Sequence, residues 1–346
     1  MDKVVESHAL QVFRSQLSSL AKYMDDPFVQ EIMVNAPNDI WVEREGKIEK
    51  VTDADLSDFN LRGAVKALAG ANKKDMSPVL DCRMTGYRIA AALYPVGIRG
   101  NALCIRKHAR SNRTLANYME AGSFEVETES YGERLDNSIK PDLRMVRRGG
   151  EEVVEFLKWM VVAKKNIIVA GSTGSGKTTF LNALLAEIPA DQRVLTIEDT
   201  AELQVKTPNY VSLEVADSEG VTIRGLVRLA LRFRPDRIVV GEVRGAEAYD
   251  LLDAMNTGHS GGACSLHADN PVLALLRLES MVRMSPDAAN LPLDALRAQI
   301  ASTFQYVVYC SRHQGRRGPE EIIEIKGIKD GSYVTESVFN RKGEVK

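Results

Sequence analysis

Residues 166–188 read NIIVAGSTGSGKTTFLNALLAEI, which is an apolar strand, a glycine-rich loop and an amphipathic helix in direct succession. The loop, residues 171–178, fits the pattern G-x-x-x-x-G-K-[ST] at every position. In such a loop, backbone amides surround phosphate groups beside a helix N-terminus, the lysine reaches the β- and γ-phosphates, and the following hydroxyl binds Mg²⁺. We predict that phosphate is bound by Gly171, Ser172, Thr173, Gly174, Ser175, Gly176, Lys177, Thr178 and Thr179.

Helix and strand patterns alternate on both sides of this stretch. The segment EEVVEFLKWMVVAK, residues 151–164, reads as a helix that leads into the strand NIIVAG. The segments RVLTIED, residues 193–199, and RIVVGE, residues 237–242, read as further buried strands. Strands that alternate with helices indicate a parallel sheet covered by helices. We therefore predict an α/β domain over residues 151–346.

Residues 1–118 predict a smaller α+β domain. Apolar residues at helical spacing predict helices over 8–24 and 59–70. The segments IMVN and DIWVERE, separated by the turn-forming APN, predict a β-hairpin, and RIAAALYPV and ALCIRKHA predict two further strands. Residues 119–150 are polar, with little periodicity, and we predict a linker or excursion between the two domains.

The composition narrows the class of protein. The chain has 346 residues, of which 44% are hydrophobic and 27% charged, with a formal net charge of −2. This balance is typical of a soluble globular protein and argues against direct binding of nucleic acid through a global basic field. The four cysteines lie far apart in the sequence, which fits a reducing compartment. Charged residues interrupt the most apolar long stretch, 153–170, so we expect any membrane contact to be peripheral.

Acidic residues follow two of the predicted strands. Glu198 and Asp199 end the strand in VLTIEDTAEL, at the sheet edge where ligands bind in open α/β folds. We predict that they bind Mg²⁺, directly or through water, or act as a base. In most proteins with such a loop, a later strand ends in aspartate, whereas here it ends in Gly241 and Glu242. Either Glu242 polarises an attacking water, or it is an ordinary solvated turn residue.

The segment TGHSGGACSLHADNP, residues 257–271, contains two histidines and a cysteine. His259, Cys264 and His267 have the form H-x4-C-x2-H, but no fourth ligand stands at a standard spacing for a metal site. His267 fits a phosphate-sensing role better, because an imidazole N–H can donate to a γ-phosphate oxygen. The alternative is a structural histidine at a strand end.

Four strings occur in order: GSTGSGKTT, TIEDTAEL, RPDRIVVGEVRGAEA and TGHSGGACSLHA. Together they resemble the Walker A motif, Asp box, unusual Walker B motif and His box of the secretion (traffic) ATPases. The resemblance is strong over residues 150–310 and looser over EIMVNAPNDIWVER and ALCIRKHA. The short N-terminal domain and the ending PEEIIEIKGIKDGSYV are similar to the conjugative-transfer and type IV secretion branch. The pilus-retraction and type II secretion ATPases are related to it.

The resemblance implies a homohexamer with a RecA-like C-terminal domain and a PAS-like N-terminal domain. It implies hydrolysis of ATP with Mg²⁺, coupled to domain motion, for substrate transfer or pilus biogenesis. The partners implied are other secretion-channel ATPases and inner-membrane channel components, at the cytoplasmic face of the inner membrane. The catalytic residues it implies are Lys177, Glu198, Asp199, Glu242 and His267, with Thr178 and Glu198 on the metal.

The resemblance also gives Arg88 and Arg106, on predicted N-terminal strands, a nucleotide-facing role. The alternative is that both are surface strand arginines. A second arginine set, Arg224, Arg228 and Arg232, recurs every four residues and forms either a solvated helix face or a contact with a neighbouring subunit. Arg244 is a further interface or active-site candidate.

Other functions remain open at this stage. One is a motor ATPase of a type IV pilus or type II secretion system, and another is a DNA translocase of RecA-like fold. A third is a scaffold that binds nucleotide without turnover. The presence of Lys177, Thr178, Glu198, Asp199 and Glu242 together argues against the scaffold, which needs no water-activating group.

Overall fold

The computed structural model describes residues 3–44, 47–72, 74–107, 139–313 and 316–342. Most of the predicted connection at 119–150 lies outside these residues. Its described end carries a short helix, Leu143–Val146, and Val146 is fully buried.

The N-terminal part contains three helices and an antiparallel six-stranded sheet of order β3-β2-β1-β6-β5-β4. The predicted α+β class is confirmed, as is the hairpin formed by β1 and β2. The elements are α1 (Lys3–Gln16), α2 (Ala21–Asp25), β1 (Val29–Ala36), β2 (Asp39–Arg44), β3 (Lys47–Val51), α3 (Asp58–Ala71), β4 (Val79–Met84), β5 (Tyr87–Ala92) and β6 (Ala102–Lys107).

The continuous helix predicted over residues 8–24 is wrong. The chain instead forms α1, a 3-10 turn at Ser18–Leu20, and α2. The hydroxyl of Ser19 donates to the carbonyl of Asp55 at 2.6 Å, which ties this break to the segment before α3. Leu17 and Leu20 stay fully buried, so the apolar spacing is satisfied without an unbroken helix.

The C-terminal part is built on an eight-stranded sheet of order β14-β13-β12-β7-β11-β10-β8-β9. From β12 to β9 all neighbouring strands are parallel, which confirms the predicted α/β class. The strands are β7 (Ile167–Gly171), β8 (Val194–Glu198), β9 (Tyr210–Glu214), β10 (Arg237–Val240), β11 (Ala263–Leu266), β12 (Tyr306–His313), β13 (Arg316–Lys329) and β14 (Ser332–Asn340).

Helices cover both faces of this sheet. Ile168, Leu195 and Ile238 face a core shared with α7–α10, whereas Val169 and Val239 face a core shared with α5 and α6. The helices are α4 (Leu143–Val146), α5 (Glu151–Val162), α6 (Lys177–Leu185), α7 (Ile223–Ala230), α8 (Glu247–Asn256), α9 (Pro271–Val282) and α10 (Leu293–Thr303). None of the helices among the described residues has both the length and the apolar character of a membrane span.

Strands β12, β13 and β14 form an antiparallel extension that the sequence analysis did not predict. Asp330 and Gly331 make the turn between β13 and β14, and both have positive φ, 51° and 71°. An Asp-Gly pair between two runs of β-branched residues is a strong hairpin signal, so the sequence did contain the information.

The two sheets meet at β9 and at the amino-terminal ends of β8 and β10. Residues Val96 and Ile98 exchange backbone hydrogen bonds with Ser212 and Glu214, which extends the sheet beyond β9. Arg193, just before β8, is fully buried, and its guanidinium donates to the side chains of Asn35 and Asn209 and to the carbonyl of Phe233. The contact surface is thus partly polar, and Arg193 is its fully buried arginine.

We predict that Arg193→Ala lowers stability by about 3 kcal/mol, because three hydrogen bonds to buried acceptors are lost and a cavity remains. The urea midpoint, followed by circular dichroism, measures the effect. The exposed Arg283 gives the matched control, and Arg283→Ala should stay within about 0.5 kcal/mol of the unsubstituted protein. An equally small effect of Arg193→Ala would contradict the role given to this side chain.

Candidate functional site

The phosphate loop connects the carboxyl end of β7 to the first turn of α6. At Gly171 the backbone passes so close to β12 that a Cβ would lie 2.3 Å from the carbonyl oxygen of Cys310. Gly174 and Gly176 have φ values of 72° and 93°, which favour glycine. Local sterics therefore explain both glycines that the pattern G-x-x-x-x-G-K-[ST] specifies, and they also favour the glycine at position 174.

The polar side chains of the loop divide into two sets. Ser172, Thr173 and Thr179 are exposed, and Thr178 is half-buried in the first turn of α6. Ser175 is fully buried, and its hydroxyl has no hydrogen-bond partner within the described part of the chain. An unpaired buried hydroxyl at the entrance to a helix is a suitable donor for a bound anion.

Lys177 is folded back over its own loop. Its Nζ donates to the carbonyl oxygens of Gly171 at 2.9 Å and Ser172 at 3.1 Å, and lies 3.4 Å from Nδ1 of His267. Burial lowers the pKa of the Lys177 ammonium, and the nearby Glu242 opposes that effect. The ammonium is therefore held by weak neutral acceptors, which a phosphate group would replace with stronger charged ones.

Glu242 lies beside Lys177 because β10 pairs with both β8 and β11. The amide of Gly241 donates to the carbonyl of Ile197 at 2.9 Å, and the Ser265 hydroxyl donates to the carbonyl of Gly241 at 2.6 Å. These bonds fix the strand end on both sides. The Glu242 side chain is 22% exposed and lies at the same edge as the phosphate loop.

The two oxygens of Glu242 have different surroundings. Oε2 accepts a hydrogen bond from Arg244 at 2.9 Å. Oε1 is buried and lies 2.9 Å from Nε2 of His267, an ion-pair distance, but it accepts no hydrogen bond from any described residue. Burial alone would raise the pKa of Glu242, but the Arg244 hydrogen bond, together with His267 and Lys177, lowers it below its usual value. Glu242 is therefore a carboxylate at neutral pH, with one oxygen open to a donor.

Glu198 and Asp199, at the end of β8, are held in different ways. Oε1 of Glu198 accepts from the amides of Glu202 and Leu203, both at 2.9 Å. Burial raises the pKa of Glu198, and the two amides oppose this effect. Asp199 is partly exposed and accepts from Arg244 at 2.8 Å. The sequence indicated both acids, but it did not predict that Arg244 joins Asp199 to Glu242.

Glu198 also explains the glycine at the end of β10. A Cβ on Gly241 would lie 2.9 Å from Cγ of Glu198 and 3.3 Å from its Oε1. Only glycine at this position leaves room for the side chain of Glu198 at the end of the neighbouring strand. The glycine before Glu242 is therefore explained by packing against Glu198.

The residues present fit a Mg²⁺ ion that takes most of its ligands from phosphate and water. Thr178 offers a hydroxyl, and Oε2 of Glu198 is a buried carboxylate oxygen that no described residue pairs with. Such hard oxygen donors suit Mg²⁺. No three His, Cys, Asp or Glu side chains of the described residues group as a metal site made by protein alone.

The H-x4-C-x2-H segment does not form a metal site. His259 contacts the carbonyl of Ala254 at 3.2 Å, and His267 lies between Lys177 and Glu242. Cys264 is fully buried in the core, and burial raises the pKa of its thiol to about 12. The three side chains of the segment therefore have separate surroundings and do not converge on one site.

Arg88 and Arg106 are not brought to the phosphate loop of the same chain. Arg88 pairs with Asp81 at 3.0 Å, and Arg106 pairs at 3.3 Å with the buried Glu31, which also contacts Arg234. Arg234 precedes β10, at the amino-terminal edge of the sheet, whereas the loop follows the carboxyl end of β7. Strand length and spacing put these two places roughly 15–20 Å apart.

The other arginine set has internal partners. Arg224 and Arg228 both pair with the buried Asp250 and with Asp287. Arg232 lies 3.7 Å from Asp81 of the N-terminal part. Two of the three therefore hold α7 against α8, which is a structural role within one chain.

Comparison with known proteins shows which family the sequence resembles. Residues 134–317 match the family model described as Type II/IV secretion system protein. The type IV secretion system protein VirB11 of Bartonella henselae is 31% identical over 325 residues, which cover 89% of this chain and 91% of that protein. A putative conjugal transfer protein of Mycobacterium tuberculosis is 34% identical over 312 residues, which cover 86% and 80%.

One solved structure matches over nearly the whole chain. It is the crystal structure of the VirB11 ATPase from the Brucella suis type IV secretion system in complex with sulphate. The TM-score is 0.82 at 31% identity, and the match covers 92% of this chain and 96% of that one.

Proposed function

Because this chain belongs to the family of type II/IV secretion system proteins, we propose that it is an ATPase of a type IV secretion (conjugation) apparatus. In this proposal, hydrolysis of ATP powers substrate transfer or pilus biogenesis. The relatives named as type IV secretion and conjugal transfer proteins align over at least 80% of their own lengths, which supports this branch of the family.

The observation that carries the proposal is the contiguous row Lys177, His267 and Glu242 beside the phosphate loop. Lys177 exchanges its loop carbonyls for the β- and γ-phosphates. Oε1 of Glu242 accepts no hydrogen bond from the described residues. It is therefore the atom that accepts a hydrogen bond, and then a proton, from the attacking water. His267 lies between the two and donates to the γ-phosphate, so that it responds when that group leaves.

Thr178 and Glu198 are the residues we propose for Mg²⁺. When bound, the ion neutralises charge on the β- and γ-phosphate oxygens. Thr178 is half-buried in the first turn of α6, next to Lys177, and we assign its hydroxyl as the direct ligand. Oε1 of Glu198 is already used by two backbone amides, so Oε2 would be the atom that serves the ion, directly or through water. Asp199 joins this acidic edge of the sheet.

We propose a homohexamer as the working form. Within one chain Arg88 and Arg106 lie far from the phosphate loop, so a nucleotide-facing role for either requires the nucleotide of a neighbouring copy. In this proposal the ring works with other secretion-channel ATPases and inner-membrane channel components, at the cytoplasmic face of the inner membrane and peripheral to it.

Two other functions use the same site. A motor ATPase of a type IV pilus or a type II secretion system would differ from the proposed ATPase in its partner proteins and not in its chemistry. A DNA translocase of RecA-like fold requires a basic channel, and the net charge of −2 gives no support for one. Hydrolysis measured with and without DNA separates the translocase, because strong stimulation that falls steeply with salt would favour it.

We expect Lys177→Ala to lower the rate of ATP hydrolysis by roughly 10²-fold or more, because the substitution removes the cation at the transferred phosphate. Phosphate release with Mg²⁺ present measures this rate. Lys206→Ala removes an exposed lysine outside the site and should leave the rate unchanged. Turnover by Lys177→Ala at the unsubstituted rate, or none by the unsubstituted protein, would contradict the proposed activity.

We expect light scattering with ATP and Mg²⁺ to give a mass about six times the 38.2 kDa of one chain. The number six is the one that the resemblance to the secretion ATPases implies, and a second copy is what would bring the N-terminal arginines to a nucleotide. A strict monomer under these conditions would rule out the ring while leaving the phosphate-binding chemistry intact.

A further inference from the structure

Arg244 connects two acids that stand at the ends of different strands. One guanidinium nitrogen donates to Asp199, after β8, at 2.8 Å, and the other donates to Glu242, after β10, at 2.9 Å. A planar guanidinium can hold two carboxylates at a fixed separation, which an ammonium cannot do. Arg244 is thus a crosslink between the Asp box and the strand that carries Glu242.

The backbone of Arg244 is fixed independently of this crosslink. The amides of Arg244 and Gly245 both donate to Oε1 of Glu247, at 2.6 and 2.8 Å, in the first turn of α8. The Arg244 side chain is nevertheless 61% exposed. An exposed side chain with an anchored backbone can be replaced without loss of core packing, so its effect on the site can be measured separately from folding.

Without Arg244, the nitrogen-bearing side chains beside Glu242 would be His267 and Lys177. His267 lies 2.9 Å from Oε1, and Lys177 contacts His267 on its other side. Glu242 would then be free to rotate toward them, and an ion pair with Lys177 would occupy the group that binds phosphate. Arg244 competes for the carboxylate by holding Oε2, which leaves Oε1 beside His267 and apart from Lys177.

We propose that Arg244 is a positioning residue for hydrolysis, which acts through Glu242 by holding its Oε2 and tying it to Asp199. This inference rests on the proposed ATPase function and deepens it. Arg244 does not contact the phosphates in this account. It therefore differs in kind from an arginine that stabilises charge on the transferred phosphate.

The test combines Arg244→Gln, Arg244→Lys and Glu242→Gln in the full chain. Arg244→Gln should lower kcat by about 10- to 100-fold, since it removes the group that positions the base. KM for ATP and the affinity for a fluorescent ADP with Mg²⁺ should each change by less than about threefold, because the phosphate loop is untouched. Arg244→Lys should recover only part of kcat, because an ammonium holds one carboxylate and not both.

The decisive comparison is the double variant. If Arg244 acts only through Glu242, Arg244→Gln should cost nothing further in the Glu242→Gln background. A further loss of tenfold or more there would overturn the proposal, because it indicates direct contact with the phosphates. Unchanged kcat in Arg244→Gln alone would overturn it as well.

A structural fault is distinguishable from a positioning role. Arg283→Gln removes an exposed arginine and should match the unsubstituted protein throughout. A parallel loss of ADP affinity and thermal stability in Arg244→Gln would overturn the positioning role. If the unsubstituted protein did not hydrolyse ATP, both this inference and the proposed function would be overturned. If it did, and Arg244→Gln had the same kcat, only this inference would be overturned.

Discussion

The position of β10 between β8 and β11 determines where every charged group of the site lies. Its pairing continues beyond the regular strand, through the Gly241 amide to Ile197 and the Ser265 hydroxyl to the Gly241 carbonyl. These bonds hold the backbone of Gly241 on both sides, directly before Glu242. Because the strands are parallel, their carboxyl ends meet at one edge, and the acids of β8 and β10 lie beside the loop that follows β7.

The site holds its opposite charges close together, in partly buried positions. Asp199, Arg244, Glu242, His267 and Lys177 form a continuous row in which each member contacts the next. Burial alone would raise the pKa of Glu242, and it lowers the pKa of Lys177; in both cases the neighbouring opposite charge acts against the effect of burial. In the proposed function, a triphosphate that draws Lys177 away from the loop would change the charge balance around Glu242 and so would couple binding to the proposed base.

Much of the architecture could be predicted from the sequence. The loop at 171–178 has both flanking elements in the predicted order, and its glycines are required by positive φ at Gly174 and Gly176 and by contact at Gly171. Alternating helices and strands indicated the parallel sheet correctly. The strand-end positions of Glu198, Asp199 and Glu242 followed from the same reasoning, since parallel strands share an edge.

What the sequence did not show depends on contacts between distant segments. The crosslink by Arg244 depends on the order of β8 and β10, which no local pattern encodes. The helix break at residues 18–20 has no glycine or proline to mark it, and a hydroxyl contact with Asp55 accompanies it. Arg88 and Arg106 lie on the predicted strands, but the docking of the N-terminal sheet against β9 puts them away from the loop.

The central claim is that Glu242 acts on the water while Lys177 and the loop hold the phosphates. Its most direct test is a single-turnover experiment with Glu242→Gln, in which bound ATP and released phosphate are measured on the same sample. The account predicts ATP affinity within about threefold of the unsubstituted protein and hydrolysis slowed by roughly 10²-fold or more. Glu187→Gln, at an exposed position on the surface, should behave as the unsubstituted protein. Hydrolysis by Glu242→Gln at the unsubstituted rate would contradict the account.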